Sequence, residues 1–344
     1  MRILILGASY GSLLSTKLLM AGHDVTLVCR EQTAELINSQ GTIVRLKLRD
    51  EPDHRLIKSA DLPGKVDART PEAVKPEDSD MIALAMQEPQ YANGSVKELM
   101  ARVAKSGKPC LSIMNMPPLP YLKRVKALSG LDLSSCFTDA SVWDGFEPGL
   151  VSLCSPDPQA FRPPEEQANF LHVGLPTNFK ASAFGNEANT AMLRQLEEEI
   201  AAVTLDSKDV PVKLRVHASL FVPMAKWSML LTGNYRCVRE DGAVAIKDAV
   251  HGDLEQSRAI YHWVDELAQK LGADAQDQVP FEKYAKAAES LLKPSSAARA
   301  IEAGTNRIER VDRLVQLVGN HLGMSLDAVD KVIKTVDDRL KKNS

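Results

Sequence analysis

Long hydrophobic runs are missing from this 344-residue chain. The opening apolar stretch, Ile3-Leu4-Ile5-Leu6 between Arg2 and Gly7, is too short for a secretory core or a membrane span. No later stretch approaches membrane length without charge. Paired cysteines are missing as well. Cys29, Cys110, Cys136, Cys154 and Cys237 are scattered, form no CxxC motif and are odd in number, which argues against a disulfide framework. Reduced thiols in a cytoplasmic protein are expected. An excess of one charge is also lacking: 42 Lys and Arg stand against 45 Asp and Glu, with a net charge of -3. That balance provides no electrostatic footprint for nucleic acid. There is no HExxH motif and no paired Cys/His set, and His251 and His262 are not at i, i+3 or i, i+4, so no metal is expected. The remainder is 44% hydrophobic and 25% charged, the balance of a globular protein long enough for two domains.

The first thirty residues carry the strongest signal. Ile3–Leu6 has the β-rich, uniformly apolar character of a strand buried on both faces. Gly7-Ala8-Ser9-Tyr10-Gly11-Ser12 turns the chain. Leu13, Leu14, Lys17, Leu18 and Ala21 follow at helical spacing, and Gly22 sits where a helix stops. Val25–Val28 reads as a second strand. In such a βαβ unit the helix amino terminus offers backbone N–H groups and the positive end of its dipole to a pyrophosphate. Glycine lets the backbone turn tightly and approach the ligand. Gly7, Ser9, Tyr10, Gly11 and Ser12 are therefore the candidate dinucleotide-binding turn, one residue shorter than the usual GxGxxG spacing. Arg30 follows the second strand, where an arginine accommodates the 2′-phosphate of NADP and a carboxylate holds the ribose of NAD. NADP is the expected cofactor, with NAD through Glu31 as the alternative.

Beyond this unit the pattern stays α/β to about residue 186. It ends in short strands at Phe170–Val173 and Ala181–Phe184, with Gly185-Asn186 as boundary. After that it turns helical. Leu193, Leu196, Ile200 and Val203 form one apolar face; Ile260, Trp263, Val264, Leu267 and Leu271 form another, closed by Gly272. Leu220, Met224, Trp227 and Leu231 predict a buried central helix over 212–231 that also carries His217 and Lys226. Pro294-Ser295-Ser296 starts a further long helix, and 326–340 is amphipathic. The expected fold is a Rossmann-type nucleotide-binding domain (1–186) followed by an all-helical domain (187–344), with a small-molecule substrate bound between them.

The chain resembles the ketopantoate reductases over nearly its whole length. The resemblance is carried, in order, by Ile5-Leu6-Gly7 … Gly11-Ser12-Leu13-Leu14 … Ala21-Gly22-His23-Asp24-Val25-Thr26-Leu27-Val28-Cys29-Arg30, by Asp80–Met86, by Ile113-Met114-Asn115 and by Glu147-Pro148-Gly149. Downstream it continues through Trp227 and through Pro294-Ser295-Ser296 with Glu302-Ala303-Gly304. It implies a two-domain NAD(P)H-dependent reductase with Asn115 at the catalytic site. Several reaction-defining positions differ. The family's catalytic lysine, two residues after the tryptophan, is Met229 here. Its asparagine, six after the tryptophan, is Gly233, with Asn234 one position on. A second substrate-site lysine is Gln87, which joins the cofactor-binding candidates together with Asn115. The family's glutamate falls on Ile308, with Glu309 adjacent.

Methionine has no proton to give and no charge to stabilise an alkoxide, so a substrate other than ketopantoate is expected. Lys226, one turn before Met229, is the candidate replacement, because its flexible stem could carry an ammonium to the same place. The catalytic candidates are Lys226, Asn115, Asn234 and Glu309. The leading function is hydride transfer between NADPH and a small carbonyl or hydroxy compound. The alternatives are an opine-type imine reductase and a catalytically inactive NAD(P)-binding relative. No membrane or nucleic-acid partner is expected; the reading leaves room for a homodimer through the helical domain.

Overall fold

A computed structural model describes residues 1–49 and 51–344. The chain folds into two compact units, one made of Met1–Met86, Gln90–Arg124 and Ser141–Ala218, the other of Gln87–Pro89, Val125–Ala140 and Ser219–Ser344.

The first unit contains, in chain order, β1 (Arg2–Leu6), α1 (Gly11–Met20), β2 (Asp24–Val28), α2 (Glu31–Gln40), β3 (Ile43–Lys47), β4 (His54–Lys58), β5 (Val66–Arg69), β6 (Met81–Leu84), α3 (Gly94–Ser106), β7 (Cys110–Ile113), α4 (Leu119–Leu122), β8 (Val151–Ser155), β9 (Gln159–Phe161), β10 (Phe170–Leu175), β11 (Phe179–Ser182), α5 (Glu187–Ala202), β12 (Thr204–Leu205), β13 (Lys208–Asp209) and β14 (Leu214–His217). Eight strands form one sheet in the order β14-β11-β8-β7-β6-β1-β2-β5, and β4-β3-β10-β9 form a second; β12 and β13 make a hairpin. All pairs of the large sheet are parallel except β8 with β11.

Ile3, Leu4, Ile5 and Leu6 are all buried, as a strand covered on both faces requires. Leu13, Leu14, Leu18 and Leu19 of α1 join Ile3, Ile5, Val25 and Leu27 in the main core. Each such side chain contributes roughly 1.5–3 kcal/mol by leaving water. The strand order reverses between β1 and β6, and in open α/β sheets that switch point opens a crevice at the carboxyl ends of the strands.

One expectation needs correction here. Residues 212–231 are not one helix. Leu214 and Val216 are buried while Arg215 is exposed, the period-two pattern of a strand, and β14 pairs parallel with β11 from Phe179↔Leu214 to Ser182↔His217. Val212, with φ +65, breaks any helix before it. His217 thus ends an edge strand, and the apolar helical stripe survives only from Met224 through Trp227 to Leu231. The first unit runs to Ala218; Leu193, Leu196 and Ile200 of α5 pack into the sheet core and β14 extends the sheet itself.

The second unit contains α6 (Lys226–Met229), β15 (Val238–Arg239), β16 (Gly242–Ala243), α7 (Ile246–His251), α8 (Leu254–Leu271), α9 (Phe281–Ala288), α10 (Ser296–Glu302), α11 (Val311–His321) and α12 (Asp327–Lys342). α8 shows how the sequence sets its ends. The Asp253 carboxylate accepts from Gln256 N–H at the start, and Gly272, at φ +116, closes it. α10 is a second correction to helix length. It starts on Ser295 as expected, with the hydroxyl accepting from Ala298 N–H. It spans only seven residues before Gly304 turns the chain at φ +88, so Glu309 lies between helices rather than on one. Among the described residues no helix is long and apolar enough to cross a membrane, and none of the cysteines forms a disulfide.

Candidate functional site

In the first unit, four residues join β1 to α1 at the switch point. Gly7 has φ +106, and a Cβ there would stand 2.7 Å from the Ala85 carbonyl oxygen just past β6. A Cβ on Gly11 would stand 2.7 Å from Cγ2 of Ile5. The first glycine lets β1 and β6 approach at the crevice; the second lets α1 start directly on β1. Gly7 N–H donates to Val28 O at 3.0 Å, tying the turn to β2. Ser9 is exposed at its tip. No side chain caps α1, and its first turn has no acidic residue, so the positive end of the helix dipole faces the bend unopposed.

The other two turn candidates are held by the protein. The Ser12 hydroxyl, buried, donates to Ala8 O. The Tyr10 hydroxyl donates to Pro158 O at 2.7 Å, and its ring meets Phe179 edge-on. Burial, then Cys154 and Asp157, push the Tyr10 phenol well above its usual range. These two residues brace the bend.

Arg30 is exposed at the end of β2, in extended backbone, immediately before α2. Beside it the register pairs Val28 with Arg69, the last residue of β5. Arg69 is half-exposed and donates to Asp67 at 2.7 Å. This second guanidinium at the same strand ends was not singled out from the sequence; only the parallel pairing of β2 with β5 reveals it. Asn115 follows β7 by two residues, half-buried between Met114 and Met116, which are buried. Met86 N–H, past β6, donates to the Tyr91 hydroxyl at 3.0 Å.

In the second unit, Gln87 is exposed and Glu88 is buried. Glu88 N–H donates to Glu309 Oε1 at 3.3 Å. The Glu88 carboxylate accepts from Thr138 N–H and Thr138 Oγ1, both at 2.9 Å. Burial raises the Glu88 carboxyl above its ordinary range, with the two Thr138 bonds opposing it. Ile308 goes into the core while Glu309 carries the carboxylate. Tyr235 donates its hydroxyl to Glu309 O at 2.6 Å and accepts from Val311 N–H at 3.0 Å. Its neighbour Asn234, half-buried, has its carbonyl bound by Ser295 Oγ at 2.7 Å. Hydrogen bonds thereby tie Glu88, Glu309 and the Asn234–Tyr235 segment into one framework, with Gln87 next to Glu88 in the chain. Lys226 opens α6, half-buried. Met229 packs against the apolar cluster of Val250, Tyr261, Phe281, Tyr284, Ala285 and Ala288.

A parallel sheet with a glycine bend at its switch point, joined to a helical unit, defines the Rossmann-type class of folds. No protein-family model matches the chain, and no curated protein matches it. Solved structures do. The 2-dehydropantoate 2-reductase of Methylococcus capsulatus aligns at TM-score 0.70 and 14% identity, covering 100% of this chain and 98% of its own. A dimeric ketopantoate reductase from Staphylococcus aureus aligns at 0.64 and 10%, covering 100% of each chain. A D-mandelate dehydrogenase solved with NADH and anilino(oxo)acetate aligns at 0.65 and 13%, covering 100% and 99%. The chain therefore has the ketopantoate reductase fold, a Rossmann-type amino-terminal part and a helical carboxy-terminal part, as the sequence resemblance implied.

Proposed function

We propose that the chain is an NADPH-dependent oxidoreductase that transfers a hydride to or from a small carbonyl or hydroxy compound. The observation that carries this is the bend from Gly7 to Gly11. Both glycines sit where a Cβ would collide with the neighbouring strands, and the uncapped amino terminus of α1 points its dipole at the bend. That is the chemistry a diphosphate needs. Its fold neighbours include a dehydrogenase solved with NADH. When bound, the nicotinamide supplies or accepts the hydride.

In this reading Gly7, Ser9 and Gly11 frame the diphosphate, and Tyr10 and Ser12 hold the bend in shape. Arg30 receives the 2′-phosphate, with Arg69 beside it. Gln87 and Asn115, each just beyond the end of a strand, orient the nicotinamide or substrate through their amides. Asn234 hydrogen-bonds the reacting oxygen. Lys226 provides the ammonium that Met229 cannot, and Glu309 fixes the substrate's polar end. A homodimer through the helical unit and a cytoplasmic location complete the reading; a ketopantoate reductase of this fold is dimeric.

Titrating NADPH and NADH against intrinsic tryptophan fluorescence at low salt tests it. Saturable quenching by NADPH is expected, and indifference to both coenzymes ends the proposal. Met229, packed against an apolar cluster, favours one second reading, a nucleotide-binding relative without turnover. NADPH binding with no oxidation across a panel of 2-oxo acids, with and without amines, would select it.

A further inference from the structure

After α6 the chain does not continue as an α-helix. Leu230–Asn234 form a π-turn, in which Tyr235 N–H reaches back five residues to Leu230 O. A π-turn holds one residue more than an α-turn and occurs mostly as a single turn inside a helix, frequently at functional sites. Two groups meet at this one. Tyr284 of α9 donates its hydroxyl to Met229 O at 3.1 Å, at the residue where the turn begins. The space its oxygen fills is the space a side chain at position 233 would need: a Cβ on Gly233 would lie 2.0 Å from that oxygen and 3.2 Å from Ile246 Cγ2. Tyr284 cannot easily swing aside. Its ring is buried and stacked on Tyr261, with centroids 5.5 Å apart and planes at 23°.

The extra residue changes which side chain follows Met229 along the helix. In an α-helix the residue on the same face one turn on is four positions later, Gly233, which has nothing to offer a substrate. In a turn closed by five-residue bonds it is Asn234. The far end of the turn is pinned by Ser295 Oγ on Asn234 O and by Tyr235 across to Glu309 O and Val311 N–H.

We propose that Tyr284 is a positioning residue: its hydroxyl, seated in the space left by Gly233, holds this turn in the π form and so sets Asn234, rather than residue 233, over Met229. The conformational half stands on the geometry alone. Its consequence for turnover rests on the role given to Asn234 in the proposed function.

Hydrogen–deuterium exchange on the full-length protein tests the first half. In Tyr284→Phe, amides in peptides spanning 226–237 should exchange at least about tenfold faster than in the wild type, while the β1–α1 segment and NADPH affinity by tryptophan fluorescence stay unchanged. Unaltered exchange over 226–237 overturns the proposal. A thermal comparison checks the pairing of the two residues. Gly233→Ala alone should lower the melting temperature more than the same change made in Tyr284→Phe, because removing the hydroxyl leaves the ring carbon at 3.3 Å from the new Cβ; equal losses in both backgrounds overturn it. The second half is read with pyruvate, ketopantoate and benzoylformate as probes. On any that the wild type reduces, Tyr284→Phe and Asn234→Ala should lower kcat or raise KM alike, and the double variant should be no worse than either. Independent, multiplying losses refute the positioning role. A wild type inert to every probe, with the exchange and melting results as expected, removes the proposed function and leaves the π-turn assignment standing.

Discussion

Lys17 gives the sharpest physical test of this structure. It lies in α1, buried with only 1% of its surface exposed, and its ammonium donates to Val210 O and Pro211 O, each at 3.2 Å. Those carbonyls precede Val212, a β-branched residue at φ +65, so the lysine ties a strained stretch of chain to the helix that follows the Gly7–Gly11 bend. The carbonyls favour the charged form, but burial outweighs them. Burial first and Lys213 second bring Lys17 down to about 7, with Asp209 pulling the other way. Because the folded value lies below the ordinary 10.5, the unfolded chain holds the extra proton between about pH 7 and 10.5. Stability should therefore rise with pH across that window, by up to about 1.4 kcal/mol per pH unit. Lys17→Met keeps the length of the side chain and cannot titrate. It also strands two buried carbonyls, at about 1–3 kcal/mol each, a cost that does not depend on pH. The assay is the melting temperature of wild type minus that of Lys17→Met, from pH 7.5 to 9.5, in which titrations common to both cancel. The difference should climb by about 3 kcal/mol over those two units, or roughly 6–12 °C for a unit of this size. A flat difference would mean that the carbonyls keep Lys17 charged throughout, and the reasoning would fail.

Three further outcomes follow from the same geometry. Arg30→Ala should weaken NADPH binding roughly 10- to 100-fold, the worth of charge-assisted hydrogen bonds to a phosphate, and NADH binding much less; equal losses in fluorescence titrations would refute the 2′-phosphate role. Gly11→Ala forces a Cβ to 2.7 Å from Ile5, so about 1–3 kcal/mol of stability should be lost and both coenzymes should bind weakly, whereas normal NADPH affinity would exclude the bend as the diphosphate site. Glu88 has its carboxyl raised by burial, so the wild type loses stability as pH rises from the ordinary value of about 4.5 towards the raised one. Glu88→Gln keeps partners for Thr138 without ionising and should gain on the wild type as pH rises through that range; a constant difference in melting temperature would contradict the buried carboxylate.

Much of this was legible in the sequence, for identifiable reasons. The βαβ unit could be read because Ile3–Leu6 is apolar at every position and the glycines fall at a strand-to-helix junction, so local pattern and tertiary role agree. The caps at Ser295 and Gly272 were readable from residue type alone. What failed depended on partners far along the chain. The stretch 212–231 shows apolar residues at helical spacing from Leu220 onward, and nothing local says that Leu214–His217 is claimed by β11. Arg69 has no motif of its own; its place at the strand ends exists only because β5 pairs with β2.

Two departures from the family spacing, each of a single residue, have opposite structural answers. Between β1 and α1 the second glycine of the bend falls at Gly11, one residue earlier than the usual spacing, and four residues join strand to helix. Gly11 starts the helix against Ile5, and Ser12 and Tyr10 turn their hydroxyls to protein carbonyls. After Met229 the expected asparagine comes one residue late, and the helix takes up the excess as a π-turn. In spacing alone the two look alike, each an offset of one that weakens a motif. They differ in what surrounds them. A bend tolerates a displaced glycine because its ends are fixed by strands it does not build, whereas a helix takes in an extra residue only where a bulge is accommodated, here beside Tyr284 with no side chain at 233 in its way. The one-residue slip at Asn234 is therefore evidence about α9 as much as about the helix that carries it, and a variant at Tyr284, distant in sequence, reads it out.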